Sequence, residues 1–215
     1  MIIYGNTLSP FVRKTLAFAA EKGVEVELVA AGMGAGPPEF KLASPFGKMP
    51  AMKDGDYMLA DSTAIIAYIE ALKPDPNLIP TEPRARGKAI WYEEFGDTIV
   101  GATGGKIFFN RIVARMLGRE GDMAAADEAQ AVEFPKLVDY LETVIPESGF
   151  LVEDRITLAD IAVASPFANL NHAGCVVNPT THPRTYAYVE MILARPSYAG
   201  MIAKEKAMFA AQAGR

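Results

Sequence analysis

The sequence predicts an α/β domain at the amino end followed by an all-α helical domain. Strand-like and helix-like patterns alternate over residues 1–72. A proline-rich stretch then breaks the pattern at 73–83, with Pro74, Pro76, Pro80 and Pro83. Beyond it every periodic stretch has the helical period. The expected division is an α/β domain over 1–76, a linker over 77–83 and a helical domain over 84–215.

Met1 to Gly5 is a short apolar, β-prone run, and Asn6 to Ser9 reads as a turn. Ser9-Pro10 opens a helix, because serine is a good N-cap and proline is favoured in the first helical turn. That helix is expected to run to Lys22, with Gly23 ending it. Val24, Val26 and Leu28 alternate with Glu25 and Glu27, the period of a half-buried strand. Two parallel strands joined by a right-handed crossover are the expected result. A glycine- and proline-rich loop and a short helical or irregular piece at 39–43 follow. Asp54-Gly55 between Ala51–Lys53 and Tyr57–Ala60 is a hairpin signal. Asp61-Ser62-Thr63 then opens a helix over Ala64–Leu72.

After the linker, helices are expected at about 84–117, 123–145, 157–173, 183–194 and 197–212. Thr157 followed by Asp160 is a capping-box variant, aspartate standing where Glu or Gln is usual. Gly101, Gly104 and Gly105 inside the first long helix each cost about 1 kcal/mol against alanine. They point to a bend, or to close approach of a neighbour or ligand.

The chain has 215 residues, a net charge of −5 and 50% apolar residues. Half apolar is close to the globular average and excludes a wholly disordered chain. An acidic balance without a basic stripe argues against a general nucleic-acid binder. No apolar run is long enough for a transmembrane helix, and the start lacks the pattern of a signal peptide. A single cysteine, Cys175, excludes an intrachain disulfide. His172 and His182 have no zinc-ligand spacing, so no metal is expected. The expectation is a cytoplasmic protein in a reducing compartment.

A β-α-β-β-β-α-like module, a proline-rich linker and a helical second domain, in this order and length, resemble the soluble glutathione S-transferases. Four local matches carry the resemblance along nearly the whole chain. Ser9-Pro10-Phe11-Val12-Arg13 resembles the serine active-site motif of the tau and zeta types. Pro45-Phe46-Gly47-Lys48-Met49-Pro50 is similar to the segment that holds the family's cis-proline. Asp61-Ser62 resembles the acidic-Ser pair that opens the third helix, and Thr157 with Asp160 resembles the capping box of the sixth. The fold implied is a thioredoxin-like first domain followed by an all-helical one. The function implied is transfer of alkyl or aryl groups to glutathione, in detoxification, by a homodimer.

Glutathione carries two carboxylates, one ammonium and a thiol. The thiolate is the nucleophile, yet a free thiol titrates near pH 8.5. A hydroxyl donating to the sulfur lowers that value, as does a helix N-terminus. Ser9 stands where both can act. From the residues alone Ser9 also reads as a plain N-cap, and Thr7 and Tyr4 are alternative hydroxyls. The resemblance implies a cis Met49-Pro50 bond that turns the Met49 backbone toward the cysteinyl part of glutathione. It gives the γ-glutamyl carboxylate to Ser62 and the ammonium to Asp61, although either residue also reads as a helix cap. Lys41 and Lys48 look like the residues that meet the glycyl carboxylate, and Phe11 belongs to the glutathione-binding set.

Phe108, Arg111, Arg115 and Met116 lie at helical spacing and are expected to line a cleft for the second substrate between the domains; an ordinary amphipathic face reads equally well. Phe46, four residues before Pro50, is the expected aromatic anchor of the dimer. Cys175 reads as a buried small hydrophobe. Two rival functions stand beside conjugation. One is a zeta-like, glutathione-dependent isomerase. The other is a non-catalytic glutathione-binding or interaction protein that keeps the fold.

Overall fold

A computed structural model describes residues 1–32 and 34–213. The chain divides into two compact units, 1–79 with 196–215, and 80–195. The first unit holds the strands β1 (Ile2–Gly5), β2 (Glu27–Ala30), β3 (Ala51–Asp54) and β4 (Tyr57–Ala60) in one sheet of order β2-β1-β3-β4. β1 and β2 are parallel, and the other two pairs are antiparallel. The helices of this unit are α1 (Pro10–Glu21), α2 (Pro38–Ala43), α3 (Ser62–Leu72) and, at the far end of the chain, α11 (Pro196–Ala213).

Alternation along the strands builds two apolar faces. Tyr4 and Ala51 pack with Phe40 and Ala43 of α2. Ile3 and Met52, paired in register, point the other way, and both are fully buried. On α1 and α3, which pack on each other, Val12, Ile65, Ile66 and Ile69 are likewise fully buried. Gly5 permits the close approach of α1, since a Cβ there would lie 2.5 Å from a Val12 methyl.

The second strand differs from its expected place. Val24 belongs to the end of α1: its amide donates to the Ala19 carbonyl (2.8 Å), and Gly23, at φ +62, donates to Ala20 (2.9 Å). This is a Schellman stop. It consumes the first residues of the alternating run, and the strand begins at Glu27, opposite Ile2.

The second unit is helical: α4 (Pro83–Glu94), α5 (Gly101–Phe108), α6 (Ala114–Met116), α7 (Met123–Glu128), α8 (Phe134–Val144), α9 (Leu158–His172) and α10 (Pro183–Leu193). The expected helix over 84–117 is one helical path interrupted by π-helical turns at Phe95–Val100 and Phe109–Val113. A third π turn, Ala129–Glu133, separates α7 from α8, where Pro135 lacks the amide that a continuous α ladder needs. α9 is buried from Leu158 to Leu170 and forms the core of this unit. The close approach falls at Gly96, where a Cβ would sit 2.7 Å from the Ala162 carbonyl oxygen. Of the three glycines flagged in the sequence, Gly104 has ordinary contact room beside Leu170, and Gly105 faces open space.

The division of the chain differs from the expected one in its last helix. α11 packs with α1 and so counts with the first unit. The Arg13 guanidinium forks onto the Glu205 carboxylate (3.3 and 3.0 Å) with both side chains almost fully buried. Residues 77–79 are also tied to this unit. Glu70 Oε1 accepts from Asn77 Nδ2 (2.9 Å), Leu78 N (3.1 Å) and Ile79 N (3.2 Å), while Oε2 pairs with the buried Lys22 (2.7 Å).

Candidate active site

The strand register brings the sequence motifs to one end of the sheet. Tyr4 is opposite Ala51, and Ala51 is opposite Ala60. The carboxyl ends of β1 and β4 and the amino end of β3 therefore lie together. Ser9 follows β1, Met49-Pro50 precedes β3, and Asp61-Ser62 follows β4. The carboxyl end of β2, which leads toward α2, reaches the same edge, as Gly5 pairs with Ala30. The N-termini of α1 and α3 both start here, and free amides at such ends favour anions.

The turn after β1 places Ser9. Asn6 accepts twice, through its carbonyl from Ser9 N and through Oδ1 from Leu8 N, each at 2.9 Å. Ser9 keeps extended backbone angles (φ −78, ψ 122) as the N-cap of α1. Its hydroxyl oxygen accepts from Val12 N at 3.4 Å, a long bond. A hydroxyl also donates. Among the described residues, the Ser9 proton has no protein acceptor. A nearly buried hydroxyl with an uncommitted proton thus stands at a helix start.

The competing hydroxyls are placed differently. Tyr4 is buried in the sheet core, its ring 6.3 Å from that of Phe40. Burial, with smaller contributions from Glu39 and Glu27, holds its phenol above the ordinary value. Thr7 is half-buried in the turn, two residues before the helix cap.

The Met49-Pro50 bond is cis. The Pro50 carbonyl accepts from Asp61 N at 3.3 Å, which joins this segment to the start of α3. Asp61 has φ +83, a region that costs a non-glycine residue about 1–3 kcal/mol. Its Oδ1 caps α3, accepting from Thr63 N (2.9 Å) and Ala64 N (3.1 Å). Ser62, in the first turn, is buried. Asp61 is therefore both the helix cap and an exposed carboxylate beside it. Lys41, on α2, and Lys48 are exposed, and Phe11 is half-buried in the first turn of α1. The loop before Pro50 is closed by Ser44 Oγ donating to the Lys48 carbonyl (2.7 Å), with Phe46 at its tip 90% exposed.

In the helical unit, the four residues expected at one spacing do not share one environment. Phe108 is buried at the end of α5. A π turn follows; Phe109 in it is exposed, and Arg111 donates to Asp127 (2.8 Å) and the Ala173 carbonyl (3.1 Å). Arg111 thereby ties three segments of its own unit. Arg115 and Met116 are exposed. Cys175 is buried, and burial pushes its thiol up to about 11. His182 meets Asp139 at 2.8 Å. Among the described residues, no group of three or more His, Cys, Asp or Glu is arranged to hold a metal ion. No helix among them is long and apolar enough to cross a membrane.

Two features of this region were missed in the sequence. The strained backbone of Asp61 has no sequence signal. Arg13 and Lys14 did carry one, as adjacent charges on a helix otherwise apolar enough to be buried.

Residues 3–77 match the family described as glutathione S-transferase, N-terminal domain, and residues 109–205 match glutathione S-transferase, C-terminal domain. The chain belongs to the glutathione S-transferase family. It is 30% identical over 210 residues to glutathione S-transferase 3 of Zea mays, covering 94% of this chain and 92% of that one. A glutathione S-transferase of Hyoscyamus muticus is 30% identical over 208 residues, covering 94% and 97%. Among solved structures, glutathione S-transferase III in its apo form superposes with a TM-score of 0.78 at 30% identity, covering 94% of this chain and 95% of that one. The chain is accordingly a transferase with glutathione as its co-substrate.

Proposed function

We propose that this transferase joins glutathione to a small apolar electrophile and that Ser9 holds the reacting thiolate. The observation that carries the reading is the Ser9 hydroxyl, which accepts from Val12 while its own proton has no protein acceptor. Donated to sulfur, that proton favours the anion, and the start of α1 adds the partial positive charge of its amides. The Met49 backbone beside the cis bond meets the cysteinyl part of the tripeptide. Ser62 and the first amides of α3 hold the γ-glutamyl carboxylate, and Asp61 Oδ2 meets the ammonium. Lys41 and Lys48 balance the glycyl carboxylate, and Phe11 packs beside the tripeptide. Phe108, Arg111, Arg115 and Met116 stay the candidates for the electrophile's side, Met116 and Arg115 being the exposed ones.

The working form in this reading is a cytoplasmic homodimer anchored by Phe46, whose exposed ring is costly to leave in water. Calorimetry with reduced glutathione tests the first step. Binding is expected, weakened about tenfold or more by Asp61→Ala, since a hydrogen bond to a charged group contributes about 1.5–3 kcal/mol. No heat at millimolar glutathione would contradict the reading and favour an interaction protein.

A further inference from the structure

Helix α11 is pinned to α1 at two places, eight residues apart on each helix. Ser197 Oγ donates to Glu21 Oε1 at 2.6 Å, and the Arg13 fork reaches Glu205 at 3.3 and 3.0 Å. The two helices therefore run antiparallel, with pins about 12 Å apart along the axis. The Arg13 pin lies toward the reacting end. Arg13 is four residues after Ser9, and its amide donates to the Ser9 carbonyl at 2.9 Å. Helical side chains lean toward the N-terminus, so the Arg13 side chain lies along the turn that Ser9 begins.

We infer that Glu205 is a positioning residue for the transfer reaction. By gripping Arg13 it sets the first turn of α1, and with it the direction of the Ser9 hydroxyl. The inference rests on the reading of Ser9 above. Arg13 is 0% exposed and Glu205 3%. A buried ion pair is a poor device for stability alone, because apolar residues of similar volume often do as well or better. What a planar guanidinium fork adds is fixed geometry. A misplacement of about 1 Å can cost a hundredfold in rate, so the gain from such a latch is large.

Charge and position act in opposite directions here, which makes the test decisive. Glu205→Gln leaves the Arg13 cation without its buried carboxylate, and by Coulomb's law alone that favours a nearby thiolate. Displacement of the Ser9 hydroxyl disfavours it. The readout is the thiol pKa of glutathione bound to the full-length protein, followed by thiolate absorbance, together with kcat and KM for an aryl-halide electrophile. Glu205→Gln is expected to raise that pKa by about one unit and to lower kcat about tenfold, with KM for the electrophile within about twofold. Arg13→Lys keeps the charges balanced and loses the fork; it should act in the same direction, and it decides the matter if Glu205→Gln does not fold.

Ser197→Ala, at the far pin, should lower the melting temperature and leave the thiol pKa in place. If Ser9→Ala raises the thiol pKa while Glu205→Gln and Arg13→Lys leave or lower it, the positioning role is overturned and the Ser9 reading stands. If Ser197→Ala raises it as much as Glu205→Gln, the effect is general loosening and the assignment to Glu205 is overturned. If Ser9→Ala itself leaves the pKa unchanged, the reading of Ser9 fails, and the inference with it.

Discussion

In the proposed reading Ser9 combines two roles in one hydroxyl, because a cap uses only its lone pairs and sulfur needs only its proton. Removing it separates them. Ser9→Ala should reduce kcat/KM for conjugation by about tenfold to a hundredfold, the range of a hydrogen bond to a charged group. Ser9→Cys should lose conjugation as well and gain disulfide exchange with a glutathionylated substrate. A thiol at a helix start has a depressed pKa and can carry a mixed disulfide. Assays of both variants on both substrate types, with mass spectrometry of residue 9, check this; a Ser9→Ala protein as fast as the parent makes Ser9 a cap only. The residues with local signatures were legible in the sequence. Ser9-Pro10, Met49-Pro50 and Asp61-Ser62 each announce themselves within a few positions. The φ of +83 at Asp61 was not, and its amide meets the Pro50 carbonyl across a strand pair, outside any local pattern. The Arg13–Glu205 fork joins residues 192 positions apart, beyond the reach of any local pattern.

Helix starts read well because caps are short-range. Asp61 and Thr157, both read as helix openers, stand at the N-caps of α3 and α9. Interruptions read poorly. Pro135 sits in a run with helical period, and only the structure reveals the π turn that absorbs it. Gly96 matters because of a helix that follows some sixty residues later. The capping box of α9 carries a pH dependence. Asp160 accepts from Thr157 N (2.9 Å), Thr157 Oγ1 (3.2 Å) and Leu151 N (2.8 Å). Burial nevertheless outweighs these bonds and pushes its carboxyl up to about 6, from 3.8. A raised value favours the protonated form in the folded state. Its contribution is present in full below about pH 4 and is lost as pH rises through about 6. The stability of the parent relative to Asp160→Asn should therefore fall by about 1 kcal/mol between pH 5 and pH 7.5. Denaturant unfolding of both proteins at the two pH values checks it; a difference that grows with pH contradicts it. Glu142, in the same unit, acts with the opposite sign. Burial alone would raise it, but bonds from Thr185 and Arg184 hold it below the usual range, so its contribution is lost toward acid.

At the scale of the molecule, the order of the two architectures was legible because the period of the apolar pattern changes at the prolines. The allegiance of α11 was not. Its residues read as one more helix after 84, whereas in the structure it packs on α1, with the buried fork and the Ser197–Glu21 contact tying it to the first unit. The exposed Phe46 makes a further prediction at this scale. Buried aromatic anchors contribute 2 kcal/mol or more, so Phe46→Ala should shift light scattering toward monomer at low micromolar concentration. An unchanged dimer rejects the anchor. The end of the sheet where β1, β3 and β4 bring Ser9, Met49-Pro50 and Asp61-Ser62 together is proposed to bind glutathione with its sulfur on Ser9. A crystal structure with glutathione bound measures this directly. The sulfur is expected within hydrogen-bonding distance of Ser9 Oγ, and the γ-glutamyl carboxylate at the first amides of α3. A sulfur met instead by Thr7 or Tyr4, or a tripeptide lodged elsewhere, would contradict it.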